Sequence, residues 1–115
     1  MKSTGRAALR GAVLGVIVAA AALAGHHVMA TPGMTISQRH REFHPDAVTV
    51  ARGTVLRIVN DDNVTHHVYV DAPNMKFDSG EQPIGTTVDL RFDHAGTFTV
   101  RCAIHPTMHL IVTVK

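Results

Sequence analysis

From Met34 onward the chain is cut by turn residues into short β-prone runs, and no run keeps a helical period long enough to build a helix. Alternation of apolar and polar residues places strands at Met34 to His40, Ala47 to Ala51, Thr54 to Asn60, His66 to Asp71, Thr86 to Phe92, Gly96 to Cys102 and His109 to Val114. Between them stand Arg52-Gly53, Asn60-Asp61-Asp62-Asn63 and His94-Ala95-Gly96, residue types that accept tight or left-handed backbone. The stretch Ala72 to Gly85, with Pro73, Gly80, Pro83 and Gly85, reads as a surface crossover holding at most a brief strand around Met75 to Phe77. Seven to eight short strands bury their apolar faces only against one another, so the expectation is all-β, a Greek-key β-sandwich of two facing sheets.

Residues 1–30 differ from the rest and are set apart from the fold. Lys2, Arg6 and Arg10 precede the uncharged run Gly11 to Gly25, and small residues follow at Val28-Met29-Ala30, the order of a secretory signal peptide. Cleavage is expected after Ala30, with Ala22-Leu23-Ala24 as an earlier small-x-small match. The alternative is an uncleaved anchor, although the apolar run is shorter than the roughly 20 residues that span a bilayer comfortably. Residues 31–115 then form one domain with one modest core. Three of the eleven basic residues belong to the leader, leaving eight against nine acidic ones, so the domain has no overall positive field for nucleic acid or anionic lipid. The expectation is an exported, periplasmic protein with no stable membrane association once the leader is removed, and a monomer.

Cys102 is the single cysteine of a chain expected to reach an oxidising compartment, where an unpaired thiol is a liability unless something occupies it. Its neighbours are Ala103-Ile104-His105-Pro106-Thr107-Met108, a C-x-x-H-x-x-M pattern in the hairpin loop between two strands. A short loop with Pro106 restricting its backbone can turn a thiolate, an imidazole and a thioether toward one point. Thiolate and imidazole alone would suit zinc, but a thioether is a soft donor that favours copper. A trigonal plane of two His and one Cys with a long axial Met is the blue-copper donor set. Haem attachment would need a second Cys in C-x-x-C-H.

The second imidazole must come from another strand at the same end, and His66 and His67 are adjacent candidates. His66 shares its face with Val68 and Val70, whereas His67 lies with Tyr69 and Asp71. Alternation therefore assigns His66 as the ligand and His67 to an outward or supporting place, and a slip of one position would exchange them. His40, His44, His94 and His109 read as solvated.

The segment Asn60 to Val70 and the loop Cys102 to Met108 resemble the two copper-binding motifs of the cupredoxins, the type 1 blue-copper family. Within it the short C-x-x-H-x-x-M loop is most similar to the amicyanin/plastocyanin-like proteins, and to the amicyanin-like ones in its spacing. The resemblance also covers Phe43-His44-Pro45, Gly53 to Asn60 and Gly96 to Val114. It implies a Greek-key sandwich, one copper ion cycling between Cu(I) and Cu(II), and metal ligands His66, Cys102, His105 and Met108. It also implies electron transport between redox partners such as a cytochrome or a periplasmic dehydrogenase. One position departs: amicyanin-like proteins usually carry Asn after the first His ligand, and here it is His67.

Two other functions compete. Copper storage or delivery would use the same ligand set but needs an open, exchangeable site. An enzyme needs a position for substrate, which four protein ligands around one ion do not leave; no catalytic residue is therefore assigned.

Overall fold

A computed structural model describes residues 33–115; the expected leader, residues 1–30, lies outside the described residues. The elements are β1 (Thr35–Arg39), β2 (Glu42–His44), β3 (Ala47–Val50), β4 (Thr54–Asn60), β5 (Val68–Ala72), β6 (Met75–Asp78), β7 (Thr87–Phe92), β8 (Gly96–Cys102) and β9 (His109–Val114). They form a four-stranded sheet in the order β2-β1-β4-β7 and a five-stranded sheet in the order β3-β9-β8-β5-β6. β1 runs parallel to β4 and β3 parallel to β9, while the other pairs are antiparallel. The architecture is the expected all-β Greek-key sandwich, and β4, β8 and β9 have the expected bounds.

Strict alternation drives the packing. Leu56 and Ile58 of β4, Val68 and Val70 of β5, Leu90 and Phe92 of β7, Phe98 and Val100 of β8, and Leu110, Val112 and Val114 of β9 all point inward and are buried. Phe92 and Phe98 meet between the sheets with ring centroids 5.6 Å apart. Removing this apolar area from water is the main term holding the sheets together. At the opposite end from the donor-bearing loops, Gly53 (φ +83°) takes a left-handed conformation that lets Ala51 to Thr54 turn tightly into β4.

Nine strands appear where seven to eight are expected. The additional one, β2, pairs with β1 through Arg39↔Glu42, and the two residues between, His40 (φ 54°) and Arg41 (φ 57°), are both left-handed. That geometry suits a two-residue hairpin, but the usual Asn or Gly is missing, so local sequence does not announce the turn. The expected crossover Ala72 to Gly85 begins with β6, which pairs with β5 from Tyr69↔Asp78 to Ala72↔Met75, and only its second half crosses between sheets. β5 starts at Val68 rather than His66, because the backbone of His66 pairs with Gln82 of that crossover instead of with β8.

Because β1 and β4 are parallel, the β1–β2 turn lies at the same end of the sandwich as the end of β4. Residues 61–67, residues 79–86 and the β8–β9 loop, residues 103–108, reach that end as well, tied together by backbone hydrogen bonds such as Gly85 N to Asn60 O and Ala103 N to His67 O, each 2.9 Å.

Candidate metal centre

Three core stripes end at this pole. Inward positions run Val70, Val68, His66 on β5 and its lead-in, Phe98, Val100, Cys102 on β8, and Val112, Leu110, Met108 on β9 and its lead-in. His66, Cys102 and Met108 are therefore placed by the same alternation that buries the aliphatic residues, and each is at most 1% exposed. His105 is half-buried at the tip of the β8–β9 loop, where Met108 N donates to His105 O at 2.9 Å and tightens the turn.

The donor atoms of His66, Cys102 and His105 all lie within 4.8 Å of one another, the one such cluster among the described residues. Cys102 Sγ stands 3.6 Å from His66 Nδ1 and 3.7 Å from His105 Nδ1. Sulfur and nitrogen bound to one ion at about 2.3 and about 2.0 Å and near-trigonal angles lie about 3.7 Å apart, so the spacing is that of co-ligands. The two imidazoles meet edge to face with centroids 5.1 Å apart, leaving both Nδ1 atoms directed toward the sulfur side. With the thioether of Met108 buried at the same pole, the donors fit one type 1 copper ion.

A charged partner orients His66. Its Nε2 donates to Asp62 Oδ2 at 3.1 Å, which leaves the Nδ1 lone pair free for a metal. The same oxygen accepts Arg41 N at 2.8 Å, and Oδ1 accepts Asn63 N at 2.8 Å. Burial acting alone would raise the Asp62 carboxyl, but the N–H groups of Arg41 and Asn63, with His66, hold it down at about 2. Burial pushes the His66 imidazole below its ordinary value against the pull of Asp62. The left-handed His40–Arg41 turn is thus joined to the ligand through one carboxylate.

Buried amides hold the loops beneath. Asn60 Nδ2 donates to Val64 O and Gln82 O, and its Oδ1 accepts Asp62 N. Gln82 Nε2 reaches Ile58 O and Thr86 O, both at 3.1 Å. Gln38, 0% exposed and level with Asn60 in the β1–β4 register, has no protein partner for either end of its amide.

His67 lies on the opposite face from His66, as alternation requires. Its ring pairs with Asp78, and its backbone N–H donates to Cys102 Sγ at 3.3 Å. His40, His44, His94 and His109 are exposed. All four expected ligand residues reach the same pole. Sequence reasoning misses Asp62, Asn60, Gln82 and Gln38; the run Asn60 to Asn63 reads as turn formers, and its only signal is an acidic residue four positions before a metal-ligand candidate.

This sandwich is the cupredoxin fold. Solved structures of that fold superpose on the chain. They include a novel purple cupredoxin from Nitrosopumilus maritimus, with TM-score 0.64, 23% identity, and coverage of 71% of this chain and 99% of that one. A reduced tryptophan-to-tyrosine variant of amicyanin matches with TM-score 0.68 and 20% identity over 75% of this chain and 85% of that one. A copper-containing nitrite reductase from Thermus scotoductus SA-01 matches with TM-score 0.66 and 22% identity over 72% of this chain, which spans only 22% of that enzyme's length. No family model and no curated protein matches the sequence.

Proposed function

We propose that the protein is a blue-copper electron carrier in which His66, Cys102, His105 and Met108 hold one copper ion. The observation that carries this reading is the contrast in exposure among the donors: three are sealed in the core while His105 alone reaches the surface. Copper supplies the one-electron couple. The chain's part is to hold the donors on two stiff sheets, so that little rearranges when the charge changes, and to keep water from three of them. A sealed site suits repeated redox cycling better than the exchange that copper storage or delivery requires, and it offers no position to a substrate.

Electrons would enter and leave through the His105 edge. Ile84 and Ile104, at 58% and 47% exposure, are two of the three large exposed apolar side chains among the described residues, and both lie in loops at this pole. They form a docking surface for a redox protein such as a cytochrome or a periplasmic dehydrogenase, met by a monomeric, exported carrier. Among the described residues no helix is long and apolar enough to cross a membrane.

Copper(II) addition should produce an intense thiolate-to-copper band and a reversible one-electron wave. The band should vanish in Cys102→Ser and be lost or altered in His66→Ala. Ile104→Lys should slow transfer to a protein partner about tenfold or more while leaving the band intact. A colourless copper complex, or copper surrendered to a chelator at each reduction, would overturn the carrier reading.

A further inference from the structure

We propose that the Asp78–Ser79–Gly80 turn at the end of β6 is a positioning element for the Cys102 sulfur, acting through His67; this rests on the copper reading only in making that sulfur a ligand. His67 is held on both sides. Toward the metal pole, its N–H donates to Cys102 Sγ at 3.3 Å and its C=O accepts Ala103 N at 2.9 Å, so its peptide grips the residue that carries the sulfur and the one after it. Away from the pole, its ring is paired with Asp78 Oδ1, which also accepts Gly80 N at 2.8 Å. Gly80 itself is left-handed, at φ +65°, a conformation that glycine adopts without steric cost. The next residue is strapped down by the same turn: Val68 N donates to Ser79 Oγ, and Ser79 N donates to Val68 O, each at 2.9 Å.

The pair itself contributes little to stability, because Asp78 is 68% exposed on its side chain and solvated ion pairs are weak. Its consequence is geometric. A hydrogen bond to sulfur depends on where the N–H points, and the direction of the His67 peptide is set by what holds its two ends and its ring. β5 and β8 share only the register pairs Val68↔Cys102 and Tyr69↔Arg101, so ladder pairing alone constrains His67 weakly. The turn replaces that missing constraint, and the imidazole at position 67 is long enough to reach it.

The test compares wild type, Asp78→Ala and Asp78→Asn, first metal-free by amide hydrogen exchange and then loaded with copper(II) by visible absorption. Asp78→Ala should speed exchange at the His67 amide about tenfold, the scale of one lost hydrogen bond, while Leu110 in β9 stays within about twofold. Asp78→Asn, which keeps an acceptor oxygen, should restore most of the protection. In the copper(II) protein the thiolate band should shift in Asp78→Ala and return toward wild type in Asp78→Asn. Unchanged exchange at His67, or a rise shared equally by Leu110, overturns the positioning role. A wild-type protein lacking the thiolate band refutes the copper reading instead, and the metal-free exchange result identifies which of the two has failed.

Discussion

Replacing Asp62 with Asn changes one atom and the charge, and the structure says what that should cost. Asp62 accepts three hydrogen bonds in a site 9% exposed, from Arg41 N, Asn63 N and His66 Nε2. Its carboxyl is lowered from 3.8 to about 2 on folding. A depressed acid contributes stability above its unfolded value and loses that contribution as pH falls through its folded value. The displacement corresponds to about 2 kcal/mol, fully present at neutral pH, mostly lost by about pH 2 and gone below it. A charge-assisted hydrogen bond, roughly 1.5–3 kcal/mol, gives the same scale independently. Urea unfolding of the metal-free protein should therefore show Asp62→Asn weaker by about 2 kcal/mol at about pH 7, or roughly 8–16 °C in Tm. The gap should narrow below about pH 4 and close only below about pH 2. His66 acts in the same sense in wild type, because its depressed pKa makes acid oppose folding from its unfolded value of 6.5 downward. Copper affinity should fall by about 10- to 100-fold in the variant, since the single oxygen of an amide cannot serve Asn63 on one side and Arg41 and His66 on the other, and the charge that holds the ring's tautomer is gone. Equal stability of the two proteins at neutral pH, or a gap that persists undiminished in acid, would refute the reasoning.

Two further substitutions probe other parts of the pole. Met108→Leu conserves volume and should leave the metal-free domain within about 1.5 kcal/mol of wild type, while the copper form keeps its thiolate band and changes its reduction potential; a wild-type potential would remove Met108 from the donor set. Gln38→Leu should raise stability by about 1 kcal/mol in chemical denaturation, because neither end of that buried amide has a protein partner. A loss of stability on that substitution would show that the amide is satisfied after all.

What could be read in advance was whatever repeats with the period of a strand. Leu56 and Ile58, Phe98 and Val100, and Leu110 and Val112 declare their strands, and the same phase carries His66, Cys102 and Met108 inward. The loop donors were legible because Cys102, His105 and Met108 are close in sequence. Asp62 is hidden because its importance comes from a hairpin turn about twenty residues earlier, which carries no Asn or Gly to announce it and sends its Arg41 N–H to the carboxylate. Gln38 sits where alternation calls for an apolar side chain, so its burial follows the pattern while its chemistry does not, and Gln82 is buried within the crossover, where no strand period applies. The short start of β5 was missed for a related reason: the His66 and His67 backbones are engaged by Gln82, Ala103 and the sulfur, and nothing in strand propensity reports that competition.

The two-pair ladder between β5 and β8 has one more consequence. It is the narrowest seam in the five-stranded sheet, and it divides the strand that follows His66 from the strand that ends in Cys102. An ion shared by those two residues would rivet that seam, closing a loop of 36 positions much as a disulfide closes one, a constraint of about 4 kcal/mol on the unfolded chain. The polypeptide would then carry its metal and its strongest cross-link in the same few atoms, so that loss of the metal would loosen the sandwich first along the seam between β5 and β8.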